Sequence, residues 1–150
     1  MAAVRHPARW QWSDHPAPGR VPGRWWLFIR AGEAVTTGIV ASYAAVFALP
    51  GSTLATVRSY AWLARLSGGS ETPWAAWALA LALVAPLAVA LDAGALRFLS
   101  VLSQCLFFAL IAASFYVGNP LGFGWAANAI LAGWLGWRAA TLLRHHARRG

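Results

Sequence analysis

From Pro73 to Leu143 the chain is apolar over long stretches, and two places can turn it: Asp92–Arg97 and Gly118-Asn119-Pro120. A helix rises about 1.5 Å per residue and a bilayer core is about 30 Å thick, so one crossing takes roughly 20 residues. Residues 73–117 are too many for one crossing, so Asp92–Arg97 must hold a break. This predicts spans over about 73–91, 98–117 and 121–143. An earlier span is expected over about 25–49, ending before Pro50-Gly51. Its charge-free core, Ala34 to Leu49, is short for a crossing, so the helix must include Arg30 and Glu33. These lie three residues apart, on one helical face, and can pair.

Composition supports a membrane assignment. Hydrophobic residues make up 59% and charged residues 11%, against roughly 25% charged in ordinary soluble domains. A soluble chain of 150 residues could not bury that much apolar surface. The expected fold class is an all-α integral membrane protein with four transmembrane helices and one amphipathic surface helix. That helix is predicted over about 53–66, between the first and second spans. Leu54, Val57, Ala61 and Ala64 follow helical spacing there, and Arg58 and Arg65 share the other side. Tyr60 and Trp62 suit an interface, Ser52 or Thr53 can cap, and Ser67-Gly68-Gly69-Ser70 ends the segment.

Three regions follow. Residues 1–24 form a basic, Trp-bearing tail, with Pro7, Pro16, Pro18 and Pro22 opposing a stable helix. The tail lacks an apolar signal core, so no cleavage is expected in it. Residues 25–143 form the transmembrane domain, and 144–150 a second basic tail. The chain carries 12 basic residues, all Arg, against 4 acidic, a net charge of +8. Such a balance can signal nucleic-acid binding. These arginines instead flank apolar runs, which is the pattern of topology control. With four spans the termini share one side, and that side holds every flanking Arg except Arg58 and Arg65. The positive-inside rule therefore places both termini in the cytoplasm of a bacterial inner membrane. The expected partners are anionic headgroups of the bilayer and either further copies of the chain or another membrane protein. No nucleic-acid partner is expected.

Charges within spans are candidates for function. Folding the spans about their turns brings Arg30, Glu33, Asp92, Arg97, Gln104 and Arg138 toward the cytoplasmic leaflet. One reading is an ion-pair and hydrogen-bond cluster that fixes helix packing. The other is a proton-responsive carboxylate at Glu33. Asn128, Ala129, Ala132, Gly133 and Gly136 form a second set: small residues four apart let helices approach closely, and an Asn can bond across the contact. They serve packing within the chain or between copies. His6, His15 and His145-His146 lack metal-ligand spacing, and the lone Cys105 and nearby Ser103 have no base on their span. No catalytic constellation, metal or cofactor is expected.

An Arg-rich start, four short spans, an Arg-rich end and the run Arg30-Ala31-Gly32-Glu33-Ala34 give the chain a layout. It resembles small holin-like membrane proteins from phages of high-GC bacteria. The resemblance implies a non-enzymatic protein that accumulates and associates in the membrane. An accessory subunit of a larger membrane complex is the alternative. Glu33 also invites comparison with small multidrug-resistance transporters, which have four spans and a first-span Glu. That likeness implies a proton-coupled transporter, although here Arg30 stands one turn away.

Overall fold

The computed structural model describes residues 23–49, 53–91 and 93–147. They are helical throughout, joined by short connections. α1 spans Gly23–Ala48, α2 Thr53–Thr56, α3 Ala61–Leu66, α4 Thr72–Ala90, α5 Gly94–Gly118 and α6 Gly124–Ala147, with a 3-10 turn at Arg58–Tyr60 between α2 and α3. Three stretches are long and apolar enough to cross a membrane: Ile29–Ala48, Thr72–Ala90 and Gly94–Gly118. α6, of 24 residues, has a comparable length, but Asn128, Arg138, Thr141 and Arg144 dilute its apolar character.

α1 lies against α4, α4 against α5, and α5 against α6. The seam between α1 and α6 is bridged by side chains. A Cβ at Gly32 would lie 2.6 Å from the Trp134 ring, so the indole fills the space that a side chain at Gly32 would take. The core is an aromatic layer. Tyr43 meets Phe107 and Phe108 edge-on at centroid distances of 5.6 and 6.3 Å, and Trp77 meets Phe107 at 5.4 Å. Such pairs add to the stabilisation from burial. The Trp77 indole N–H donates to Ser103 Oγ at 2.9 Å, which ties α4 to α5.

The segment after α1 differs from expectation. It is a broken cap, with α2, the 3-10 turn and α3 in place of one surface helix. Val57 is extended (φ −98°, ψ 111°) and interrupts it. Leu54, Tyr60 and Leu63 are buried, and Tyr60 sits edge-on between Phe47 and Phe115. Burying these three anchors needs a turn that no straight amphipathic helix provides. Tyr60 is thus a core residue and not an interface residue, whereas Arg58 and Arg65 are exposed. The Glu71 carboxylate accepts the N–H of Leu54 at the start of α2. α3 ends where the glycines stand. Gly68 and Gly69 have φ of 63° and 84°, and the Gly69 N–H returns to Ala64 O at 2.7 Å.

Two boundaries also shift. α5 begins at Gly94, so Arg97 belongs to its first turn and not to the connection. α6 begins at Gly124, leaving Leu121 and Phe123 more than nine-tenths exposed in the turn before it. Asp92 lies outside the described residues.

Gly118 is where the cap and bundle meet most closely. A Cβ there would lie 2.6 Å from Ser59 Cα and 2.9 Å from Arg58 O, both backbone atoms that cannot swing away. Ser114 Oγ donates to the Ser59 carbonyl one turn earlier. Gly118→Ala is therefore expected to lower stability by about 1–3 kcal/mol, read as thermal unfolding in detergent. Gly38→Ala, where a Cβ meets nothing within 4 Å, is expected to be neutral or mildly stabilising. Equal stability of Gly118→Ala and wild type would refute this docking of the cap.

Candidate functional site

Glu33 is the one carboxylate among the described residues that lies inside a predicted span. Isolated there it would cost at least a few kcal/mol on insertion scales. The fold supplies two partners. Glu33 Oε2 accepts from Arg97 Nη2 at 2.6 Å and Nε at 3.1 Å, and Oε1 accepts from Arg138 Nε at 2.8 Å. All three residues are buried, each at 8% exposure or less. Three helices therefore converge on one carboxylate: α1 brings Glu33, α5 Arg97 and α6 Arg138.

Local sequence accounts for the placement. Arg97 stands on the same face of α5 as Ser100, Gln104, Phe107 and Ile111, all buried, which is the three- and four-residue spacing of an inward stripe. Arg138 stands likewise with Leu135, Ala139 and Leu142 on α6. The Arg138 Nη1 donates to Thr141 Oγ1 at 3.3 Å, and Thr141 in turn donates to the Arg138 carbonyl at 2.7 Å. The hydroxyls of Thr36 and Thr37 donate to the Glu33 carbonyl, at 3.0 and 2.7 Å. Arg30, half-buried one turn before Glu33, adds its positive field at the carboxylate.

Of the six residues expected to cluster, Glu33, Arg97 and Arg138 are in direct contact, and Arg30 is adjacent. Gln104 lies two turns along α5 from Arg97 and is buried, with its Oε1 making no hydrogen bond. Asp92 falls outside the described residues. The packing set divides. Asn128 donates through Nδ2 to Gly124 O at 2.8 Å and accepts at Oδ1 from the Tyr43 hydroxyl at 3.2 Å, joining α6 to α1. Burial, with Tyr43 nearby, raises the Tyr60 hydroxyl pKa above the ordinary tyrosine range. Ala132 and Gly136 face α5: Cys105 Sγ donates to Ala132 O at 3.2 Å, and a Cβ at Gly136 would sit 3.5 Å from that sulfur. Ala129 and Gly133 are exposed on the opposite side.

Sequence reasoning missed Tyr43, Tyr60 and Ser100. A signal for Tyr43 was present: a phenol in the middle of an apolar span needs a partner for its hydroxyl. Among the described residues no three His, Cys, Asp or Glu side chains come together as metal ligands would. Comparison with protein-family models, curated proteins and solved structures finds no match to this chain.

Chemically, the cluster is a clamp. Removing one member of a buried pair leaves an uncompensated charge, at a cost of about 3–5 kcal/mol. Glu33→Gln strands two guanidinium groups and is expected to destabilise on that scale. Adding Arg138→Gln should recover part of the loss, with a coupling of about 0.5–3 kcal/mol. Thermal unfolding of the four proteins of this cycle is the measurement. Additive effects would mean that the two groups do not interact.

Proposed function

We propose that this is a non-enzymatic protein of the bacterial cytoplasmic membrane, with α1, α4, α5 and α6 as four crossings. In this reading the chain ends are cytoplasmic and the α2–α3 cap lies outside. The length of α6 supports a fourth crossing, and its one mid-helix charge, Arg138, is neutralised by Glu33. The distribution of arginines supports the orientation. A cysteine at Ser70, in a Cys105→Ala background, is expected to react with an impermeant thiol reagent in intact cells. One placed at Arg144 is expected to react only after permeabilisation. The reverse pattern would overturn the topology.

Its role is holin-like: it associates in the membrane through helix faces and performs no chemistry. One observation carries this reading. The one buried carboxylate is held by two arginines, while the outward faces of α4 and α6 are mainly apolar, with Leu79, Leu83 and Leu87 on one and Ala129, Ile130, Gly133 and Trp137 on the other. The same geometry speaks against Glu33 as a proton carrier, since both of its oxygens already accept from guanidinium groups. Small residues four apart permit close helix contact, so Gly133→Leu should block association while sparing the fold. The expected outcome is an oligomer in nanodiscs by mass photometry that becomes monomeric in Gly133→Leu. Induced together with an endolysin, the wild type should lyse cells abruptly and Gly133→Leu should not. A monomeric wild type that causes no lysis would leave the accessory-subunit reading in its place.

A further inference from the structure

Two polar atoms on the inward stripe of α5 make no hydrogen bond, and neither does Trp74 Nε1 on α4. Ser100 Oγ and Gln104 Oε1 have no accessible surface and no hydrogen bond, in residues only 4% and 2% exposed. A buried polar group left unsatisfied is costly, so native structures rarely keep one without an occupant. These two stand four residues apart on the inward stripe of α5, one turn beyond Arg97. One α-helical turn separates such positions by about 5–6 Å at Cβ, which a single bridging molecule or two adjacent ones can span.

The surroundings specify the occupant. On the side toward Arg97 the stripe leads into the Glu33–Arg97–Arg138 clamp, and Thr36 of α1 is buried one turn from Glu33. In the other direction it meets the aromatic layer of Phe107, Phe108, Tyr43 and Trp77, in edge-on contact. Gln104 Oε1 is an acceptor and needs a donor. A halide or other small anion cannot donate. A metal cation would sit beside the guanidinium groups of Arg97 and Arg138 and be repelled. A neutral molecule that both donates and accepts meets every requirement: it gives a hydrogen to Gln104 Oε1 and takes one from the Ser100 hydroxyl.

We propose that Ser100 and Gln104 hold ordered water on the inward stripe of α5, between the Glu33–Arg97–Arg138 clamp and the aromatic layer. Buried waters of this kind make two to four bonds to otherwise unsatisfied groups and are costly to remove. The inference goes beyond the proposed membrane reading, and its test does not depend on orientation or oligomer size.

The chain has two glutamines, Gln11 and Gln104. In a Gln11→Met variant, labelling with ¹⁵N-glutamine leaves Gln104 as the only side-chain amide of that type. The protein is placed in phospholipid nanodiscs, and bulk water is the probe. The expected result is a cross-relaxation peak between the Gln104 amide and water, with amide shifts identical in sodium chloride and sodium gluconate. Absence of the water peak would show a dry site and overturn the proposal. A chloride-dependent shift would make the occupant an anion and overturn it equally. A second variant gives an independent sign. Gln104→Met keeps the length and removes the polar atoms. If water is bound, its thermal midpoint should fall, because the Ser100 water loses a partner. If the site is dry, the midpoint should rise, because an unsatisfied amide has been removed, and that rise would overturn the proposal.

Discussion

The fold depends on one carboxylate. Without Glu33 the buried guanidinium groups of Arg97 and Arg138 would lose the anion on which both converge, and the end of the bundle where α1 starts and α6 finishes would lose its common anchor. The clamp acts across a gap. α1 packs mainly on α4 and α6 on α5, so the two outer helices of the row do not lie directly against each other. Long side chains span the distance between them: Arg138 to Glu33, Trp134 over Gly32, and Tyr43 to Asn128. Replacing a buried ion pair by apolar residues often stabilises a protein, so the clamp is better understood as setting which faces of α1, α5 and α6 meet. An apolar seam between Ala- and Leu-rich helices could slide by a turn. A bidentate arginine on one carboxylate oxygen and a second arginine on the other allow one register.

The two ends of the bundle are held by different physics. At the clamp end, charge fixes direction and depth. At the capped end, aromatic packing and backbone contact do so, through Phe47, Tyr60 and Phe115, and through Gly118 against Ser59. Tyr60 packs on Phe47, Phe47 on Tyr43, and the Tyr43 hydroxyl donates to Asn128, so the cap also reaches the α1–α6 seam from its other end. The cap is thereby part of the core and not an ornament on the surface.

Some of this was legible in the sequence, for reasons of scale. Apolar runs near 20 residues have few alternatives to a helix when backbone groups must be satisfied without water, so the long helices could be located to within a few residues. A charge placed in such a run has few places to go, so the gathering of Glu33 and Arg138 toward one leaflet followed from depth. Arg97 was harder. Asp92–Arg97 reads as a connection because it holds the charges and Gly94, yet helical hydrogen bonds start at Gly94 and the Arg97 N–H bonds to Ala93 O at 2.8 Å. The cap was harder still. Leu54, Val57, Ala61 and Ala64 have helical spacing, but the residues buried are Leu54, Tyr60 and Leu63, which a single helical face cannot present together. Periodicity describes an isolated segment, and this segment takes its shape from the end of α5.

The small residues of α6 show the same limit. Two overlapping pairs at four-residue spacing are equivalent in sequence. The fold separates them, turning Ala132 and Gly136 to α5 and leaving Ala129 and Gly133 outward. What separates them is rotation about the helix axis, and that rotation is set by Arg138 reaching Glu33 and Asn128 reaching Tyr43. Both polar residues lie on the inward side with Leu135 and Leu142, so satisfying them leaves Ala129, Ile130, Gly133 and Trp137 on the outward strip. The internal clamp therefore also decides which face of α6 is external.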